Sequence, residues 1–159
     1  MGIISIESAR AHIRENSDVP DDVIQPYVDG AEAAAAAYLN RAVYADAASL
    51  KLAQDDAPEA IRVASAAYGE AVASAAEIED SHERAVVLDL ALRRLDDARV
   101  SARRVVHGMV ATPDVIAAMK LTLGSLYSNR ESVVVGATAV ELPEGARVLL
   151  RQHRRVQMP

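Results

Sequence analysis

The sequence predicts a mainly α-helical protein: a small helical bundle with a long helical-hairpin insertion and a short β-hairpin or extended loop near the C-terminus. Apolar residues recur at intervals of three and four through most of the 159 residues, which is the period of an amphipathic helix. Alanine is abundant and Phe and Trp are absent, a composition that favours helices in close contact but buries little area per residue. A glycine closes the valine run at residues 133–135, which favours extended structure there. Because of the alanine-rich composition without Phe and Trp, we expect a thin core, and surfaces of partner molecules would supply part of the stability.

The N-terminal part predicts two helices. Ser5 is a suitable N-cap for a short amphipathic helix over residues 5–14, and residues 16–20 interrupt the chain. A second helix is predicted from Asp21 to Leu39, with acidic residues in its front half, where they suit the helix dipole. Its apolar stripe consists of Val23, Ile24, Tyr27, Val28, Ala31, Ala35, Tyr38 and Leu39.

Residues 57–110 predict an inserted antiparallel helical hairpin, with helices near 58–79 and 81–108. Asp80 and Glu83 have the spacing of a capping box at the start of the second helix. Each helix has one heptad seam, and small alanines in both seams allow close contact. The seams are Ile61, Ala64, Tyr68, Ala71, Ala75 and Ile78, and Leu88, Ala91, Leu95, Ala98, Ala102, Val105 and Met109. We expect an element about 35–40 Å long, at about 1.5 Å per residue, which packs on its own domain, a neighbouring subunit or another protein.

The C-terminal part predicts a helix, an extended loop and a final short helix. Thr112 is a suitable N-cap and Pro113 suits the first helical turn. The buried stripe of this helix is predicted to comprise Val115, Ile116, Met119, Leu123 and Leu126 or Tyr127. Two extended arms around residues 136–138 follow, and residues 145–152 form the last helix, with Val148, Leu149 and Leu150.

Four short motifs in this part occur in a fixed order. They are Leu126-Tyr127-Ser128-Asn129-Arg130-Glu131, the valine run with Gly136, Leu142-Pro143-x-Gly145, and Leu149-Leu150-x-x-x-Arg154. In this order and spacing they resemble the head–tail connector (adaptor) proteins of tailed bacteriophages. The short helix, acidic turn and longer helix ending Tyr38-Leu39-Asn40-Arg41 resemble the N-terminal half of the same family. The resemblance covers residues 3–46 and 111–156, whereas the short family form crosses the 57–110 region quickly.

The resemblance implies a structural virion protein and one connector domain over residues 1–159, with the hairpin inserted in it. Such a protein forms a homo-oligomeric ring, twelve-fold when assembled, that joins the portal vertex to the neck or tail and continues the DNA channel. The implied partners are other copies of the chain, the portal protein and the next neck or tail-completion protein. Genomic DNA would pass through without sequence-specific binding, first in the host cytoplasm and then in the virion. For the subunit interface we predict Arg130, Glu131, Val133, Val134 and Val135.

The C-terminal basic segment is the predicted portal-docking element. Leu149 and Leu150 supply an apolar anchor and Arg151, Arg154 and Arg155 a charged rim, with no acid after Glu144 to balance them. We expect deletion of residues 151–159 to abolish portal binding and leave the melting temperature nearly unchanged. The alternative is a C-terminal helix that folds onto its own domain, with frayed basic residues beyond it.

The net charge of −6 conceals an asymmetry between the two halves of the chain. Residues 1–80 contain 15 acids and 5 Lys or Arg, whereas residues 81–159 contain 8 acids and 12 Lys or Arg. Opposite charge in the two halves suits head-to-tail self-association or docking on an acidic partner. An alternative of equal weight is that these charges lie on solvent-exposed faces and have no role in association.

No motif indicates catalysis, a cofactor or a metal. The histidines His12, His82, His107 and His153 lack metal-ligand spacing, and the sequence has no glycine-rich phosphate loop. The adjacent acid pairs at 55–56 and 96–97 point in different directions on a helix, which suits solvated charge better than an acid–base pair. The absence of cysteine excludes disulfides and thiolate metal sites. Because no catalytic motif is present, we expect a protein that is not an enzyme. Because there is no signal pattern and no long apolar run, we also expect a soluble protein that does not enter a membrane.

Two other classes of protein remain open. A small helical nucleic-acid-binding protein would use the cluster Arg93, Arg94, Arg99, Arg103 and Arg104, although Asp89 and Asp97 are spaced to pair with Arg93. The acidic total and the lack of a recognition-helix motif disfavour that class. The third class is a helical scaffold or regulator unrelated to phages.

Overall fold

A computed structural model of the chain describes residues 2–15, 19–129 and 142–156. The described residues form six helices and two short strands, which confirms the prediction of a mainly α protein. The elements are α1 (Ile6–Ile13), α2 (Asp21–Leu39), β1 (Val43–Tyr44), α3 (Ala47–Ala75), α4 (Ser81–Val106), β2 (Met109–Val110), α5 (Pro113–Ser128) and α6 (Glu144–Arg151). The predicted β-hairpin or extended loop near the C-terminus and the subunit-interface residues Arg130, Glu131, Val133, Val134 and Val135 lie outside the described residues.

The chain divides into two compact units. The first combines the described residues of Met1–Asp46 with those of Met109–Pro159, and the second is Ala47–Gly108. The first unit therefore consists of two stretches of sequence that the second unit separates. The second unit begins ten residues before the predicted start of the insertion at residue 57 and ends two residues before its predicted end at residue 110.

Helices α1, α2, α5 and α6 enclose the core of the first unit. Helix α5 packs against α2 and α6, and α1 packs against both α2 and α5. The rings of Tyr27 and Tyr127 meet edge to face, with centroids 5.4 Å apart and planes at 78°. The buried apolar residues are Ile4, Ala9, Ile24, Val28, Ala31, Ala35, Leu39, Val115, Ala118, Met119, Leu123, Tyr127, Ala146 and Leu150.

Local sequence signals account for the ends of these helices. The Ser5 hydroxyl accepts a hydrogen bond from the Ser8 amide, as expected of an N-cap. Helix α2 ends at Asn40, whose φ of 52° lies in the left-handed region that asparagine tolerates better than most residues. Pro113 occupies the first turn of α5, as predicted, although the Thr112 side chain does not cap the helix backbone. Val23 belongs to the predicted apolar stripe of α2 but is not part of the buried face, because 42% of its surface is exposed.

The two strands form a parallel pair that the sequence did not predict. Val43 pairs with Met109 and Tyr44 with Val110. Two-residue strands leave no alternation of apolar and polar residues to detect, and their partners are more than 60 positions apart. Since β1 precedes Ala47 and β2 follows Gly108, the chain leaves the first unit and re-enters it at neighbouring points.

The second unit is the predicted antiparallel pair of long helices. Asp80 caps α4 by accepting hydrogen bonds from the amides of His82 and Glu83, at 2.7 and 2.9 Å. In the turn before it, the Arg84 guanidinium donates to the Ile78 carbonyl at 2.7 Å. The shielded residues of α3 and α4 coincide with the predicted heptad seams up to Val105, and the α3 seam continues back through Ala57 to Leu50.

Two details of the hairpin prediction were wrong. Helix α3 begins at Ala47, not near 58, and Pro58 lies within it. A proline fixes a helical φ and costs one backbone hydrogen bond, which the long helix on either side tolerates. Met109 belongs to β2 and packs against the core of the first unit, so it is not part of the α4 seam.

Candidate docking surface at the C-terminal segment

The C-terminal segment, residues 144–156, begins with helix α6, which packs against the rest of the first unit. Its Ala146 and Leu150, four residues apart on one face, are both fully buried in the core. Leu149 is partly buried against the same core, and Val148 points outward with 63% of its surface exposed. The two leucines of the predicted apolar anchor therefore have different roles. Leu150 stabilises the protein's own fold, whereas Leu149 retains some accessible surface.

Asp114, in the first turn of α5, is the polar centre to which this segment is attached. Its carboxylate accepts hydrogen bonds from the Thr112 hydroxyl, from Gln152 Nε2 at 2.5 Å and from His153 Nε2 at 2.6 Å. These hydrogen bonds, above all that from Thr112 and then that from His153, hold the pKa of the Asp114 carboxyl well below its usual range. The carboxylate therefore remains ionised and fixes the chain just after α6 to the start of α5.

The residues after α6 also contact the C-terminal end of α2. The Arg155 amide donates to the Leu39 carbonyl at 3.0 Å, and Arg41 donates to the His153 carbonyl at 3.5 Å. The Arg154 guanidinium lies over the Tyr38 ring, with its central carbon 5.0 Å from the ring centroid. These contacts satisfy a carbonyl at the helix end and place cations where the helix dipole is negative.

The result is a basic surface built on an anchored backbone. Arg151 and Arg154 are exposed and Arg155 is partly exposed. Together with Arg41, they place four guanidinium groups on the C-terminal segment and the adjoining end of α2. Such a surface can donate charge-assisted hydrogen bonds to carboxylates or phosphates of a partner.

These contacts bear on the predicted effect of deleting residues 151–159. The deletion removes two of the three side chains that bond Asp114, those of Gln152 and His153, and the amide that bonds Leu39, in addition to the arginine charges. We therefore expect it to destabilise the first unit as well as to alter its surface. Substitution of the arginine side chains separates the two effects.

The sequence did not single out Asp114, Tyr38 or Arg41 as members of this surface. Asp114 resembled any acid in a first helical turn, and Tyr38 had been assigned to the apolar stripe of α2. Their roles depend on partners at sequence separations of 39, 116 and 112 residues, which no local pattern shows.

The second basic cluster, on α4, is partly neutralised in its own helix. Arg93 pairs with Asp89 at 3.3 Å, as the spacing predicted, and Arg99 pairs with Asp96 at 3.0 Å. All four side chains are more than half exposed, so the pairs contribute little to stability.

Within the part of the chain that the structure describes, no group of three or more His, Asp and Glu side chains is placed to hold a metal ion. No described helix is both long and apolar enough to cross a membrane.

Comparison with known proteins gives no match. Family models, curated proteins and solved structures were each compared with the chain, and none resembles it closely enough to assign it to a family.

Proposed function

We propose that the protein is a structural component of the head–tail junction of a tailed bacteriophage. In this proposal it forms a homo-oligomeric ring that joins the portal vertex to the neck or tail and continues the DNA channel. The supporting observation is how the chain divides. The resemblance to connector proteins covers residues 3–46 and 111–156, and the described residues of these distant stretches fold together into one compact unit. Residues 47–108, which lie outside the resemblance, form the other unit.

The proposed mechanism is geometric and involves no catalysis and no cofactor. Repeated heterologous contacts between copies close a ring whose symmetry, twelve-fold in the assembled particle, matches that of the portal. The proposed subunit contact consists of Arg130, Glu131, Val133, Val134 and Val135. The portal and the next neck or tail-completion protein bind its two faces, and DNA passes through without sequence-specific recognition. The protein would assemble in the host cytoplasm and remain in the virion.

Portal docking is proposed for the basic surface of the C-terminal segment. Arg151, Arg154 and Arg155 provide its charge, and the partly buried Leu149 provides an apolar edge. Leu150 supports this surface from beneath, because it is fully buried. An anchored backbone favours docking, since less conformational freedom is lost when the partner binds.

Electron microscopy of concentrated protein, alone and mixed with the portal protein encoded by the same genome, tests this proposal. We expect rings with a central channel, or a ring bound to the portal. A monomer that forms neither a ring nor a portal complex at any salt concentration would contradict it. Binding to free duplex DNA with a steep salt dependence would instead favour the nucleic-acid-binding class.

A further inference from the structure

Helix α4 has a second heptad seam, on the face opposite the one that packs against α3. Its positions alternate by four and three residues, so they align along the helix. Val86, Leu90 and Val100 are exposed by 58%, 49% and 44%, which is unusual for large apolar side chains spaced in this regular way. The full outer seam is Val86, Leu90, Arg93, Asp97, Val100 and Arg104.

This outer seam is complementary to itself in one orientation. If a second α4 lies antiparallel, with a two-fold axis beside residue 95, Leu90 of each copy faces Val100 of the other. In the same register Arg93 faces Asp97, and Val86 faces the aliphatic stem of Arg104. The register also matches the alternation of four and three that antiparallel coiled coils require. Every layer thus combines either two apolar groups, two opposite charges, or an apolar group and a long stem.

A parallel arrangement fails on the same residues. It would place Arg93 against Arg93, Asp97 against Asp97 and Arg104 against Arg104, and like charges in a seam oppose association. In the antiparallel arrangement, the residues on either side of the outer seam form both favourable and unfavourable charge pairs. Asp89 faces Arg103 on one flank, whereas Asp96 and Arg94 each meet their own copy near the axis. We therefore expect a reversible association that depends on protein concentration.

We propose that the outer face of α4 binds a second copy of the same chain, through an antiparallel α4–α4 contact centred on residue 95. Such a contact is isologous and closes on two copies, so it differs from the heterologous contact that builds a ring. It joins two subunits, or two rings face to face. The inference does not rest on the proposed function, because a dimer of this kind could form in a protein of any role.

Cysteine cross-linking tests the register directly, because the chain contains no cysteine of its own. Leu90→Cys and Val100→Cys are prepared separately. In the antiparallel contact, the two copies of either single position lie about 15 Å apart along the helix, beyond the reach of a disulfide. We expect neither variant alone to cross-link under mild oxidation, and an equimolar mixture of the two to give a disulfide-linked heterodimer.

Leu92→Cys mixed with Val100→Cys is the matched control. Leu92 has nearly the same exposure as Val100, 42% against 44%, but lies off the outer seam. The proposal is overturned if the Leu90→Cys and Val100→Cys mixture cross-links no more than this control, or if either variant alone cross-links as readily as the mixture.

Sedimentation equilibrium provides a second, independent measurement. Leu90→Glu places a charge against Val100 of the other copy and should raise the dimer dissociation constant at least tenfold. Val63→Glu, on an exposed position of α3, should leave it unchanged. Circular dichroism verifies that both variants remain helical. Equal weakening by the two substitutions, or a wild-type chain with no α4-dependent dimer, would reject the inference.

Discussion

Asp114 makes the first unit sensitive to acid. The pKa of its carboxyl is lowered in the folded protein by the hydrogen bonds from Thr112 and His153. A lowered folded pKa adds stability above the unfolded pKa of about 4, and that stability is lost as pH falls towards the folded value. Asp114→Asn should therefore lower the melting temperature at pH 7, and its deficit relative to the wild type should shrink as the pH falls below about 4.

Thermal unfolding of both proteins between pH 7 and pH 3 measures this effect, with Asp56→Asn, at an exposed position of α3, as control. A deficit that stays constant over the whole range would mean that the Asp114 charge does not contribute in this way.

Leu150 is a core residue, although its neighbours in sequence are on the surface. Its side chain is fully buried, so Leu150→Ala should destabilise the protein by about 2–5 kcal/mol. Val148→Ala, two residues earlier and largely exposed, should change stability by no more than about 0.5 kcal/mol. Urea unfolding curves compare the two. Similar small losses for both would place Leu150 outside the core.

The arginine side chains of the C-terminal segment are expected to matter for binding far more than for folding. In the triple variant Arg151→Ala, Arg154→Ala, Arg155→Ala, the backbone hydrogen bond from residue 155 to the Leu39 carbonyl remains. The cation–π contact of Arg154 with the Tyr38 ring is lost, which lowers the stability by about 0.5–1 kcal/mol. We expect a melting temperature close to that of the wild type and no retention on immobilised portal. Undiminished retention would show that the docking surface lies elsewhere.

At the scale of elements, the α3–α4 hairpin should be removable. Since β1 and β2 are paired, Asp46 and Met109 lie close enough to be joined by a linker of about six Gly and Ser residues. Replacing Ala47–Gly108 in this way should leave a cooperatively folded first unit. The cut follows the ends of the observed helices, whereas a cut at residue 58 would leave the first turns of α3 without their partner helix.

Far-ultraviolet circular dichroism through a thermal ramp tests the replacement. Loss of a cooperative transition would show that the hairpin is required for the fold of the remaining chain.

Elements determined by local chemistry were predictable. The hairpin seams follow from a period that persists over many turns, and Asp80 follows from a capping pattern that spans three residues. The start of α3 was predicted eleven residues too late. Pro58 lies inside the helix, a position that proline occupies less often than the first turn. The β1–β2 pair was missed because two residues per strand give no detectable alternation.

At the scale of the whole molecule, the sequence predicted which residue types the candidate site contains, but not how they are arranged. The sequence identified a basic C-terminal segment beside leucines, and its arginines lie on the surface of the first unit. It did not show that Leu150 points inward or that Asp114 fixes the segment, because both facts depend on how α5 and α6 pack. Side-chain direction on a helix of eight residues is decided by its neighbours more than by its own short pattern.

The close return of the chain at β1 and β2 also bears on how the first unit folds. If 47–108 were a flexible loop of about 60 residues, closing it would cost about 2 kcal/mol more than closing a linker of six. A hairpin of local contacts can form early and remove most of that cost before the distant halves meet. Ala91→Pro, which breaks α4 in its middle, should thus slow refolding of the first unit about tenfold or more. Tyrosine fluorescence follows this refolding in a Tyr68→Leu background, because Tyr68 is the tyrosine of the hairpin and the other four lie outside it. The kinetic defect would then appear in a unit to which residue 91 does not belong.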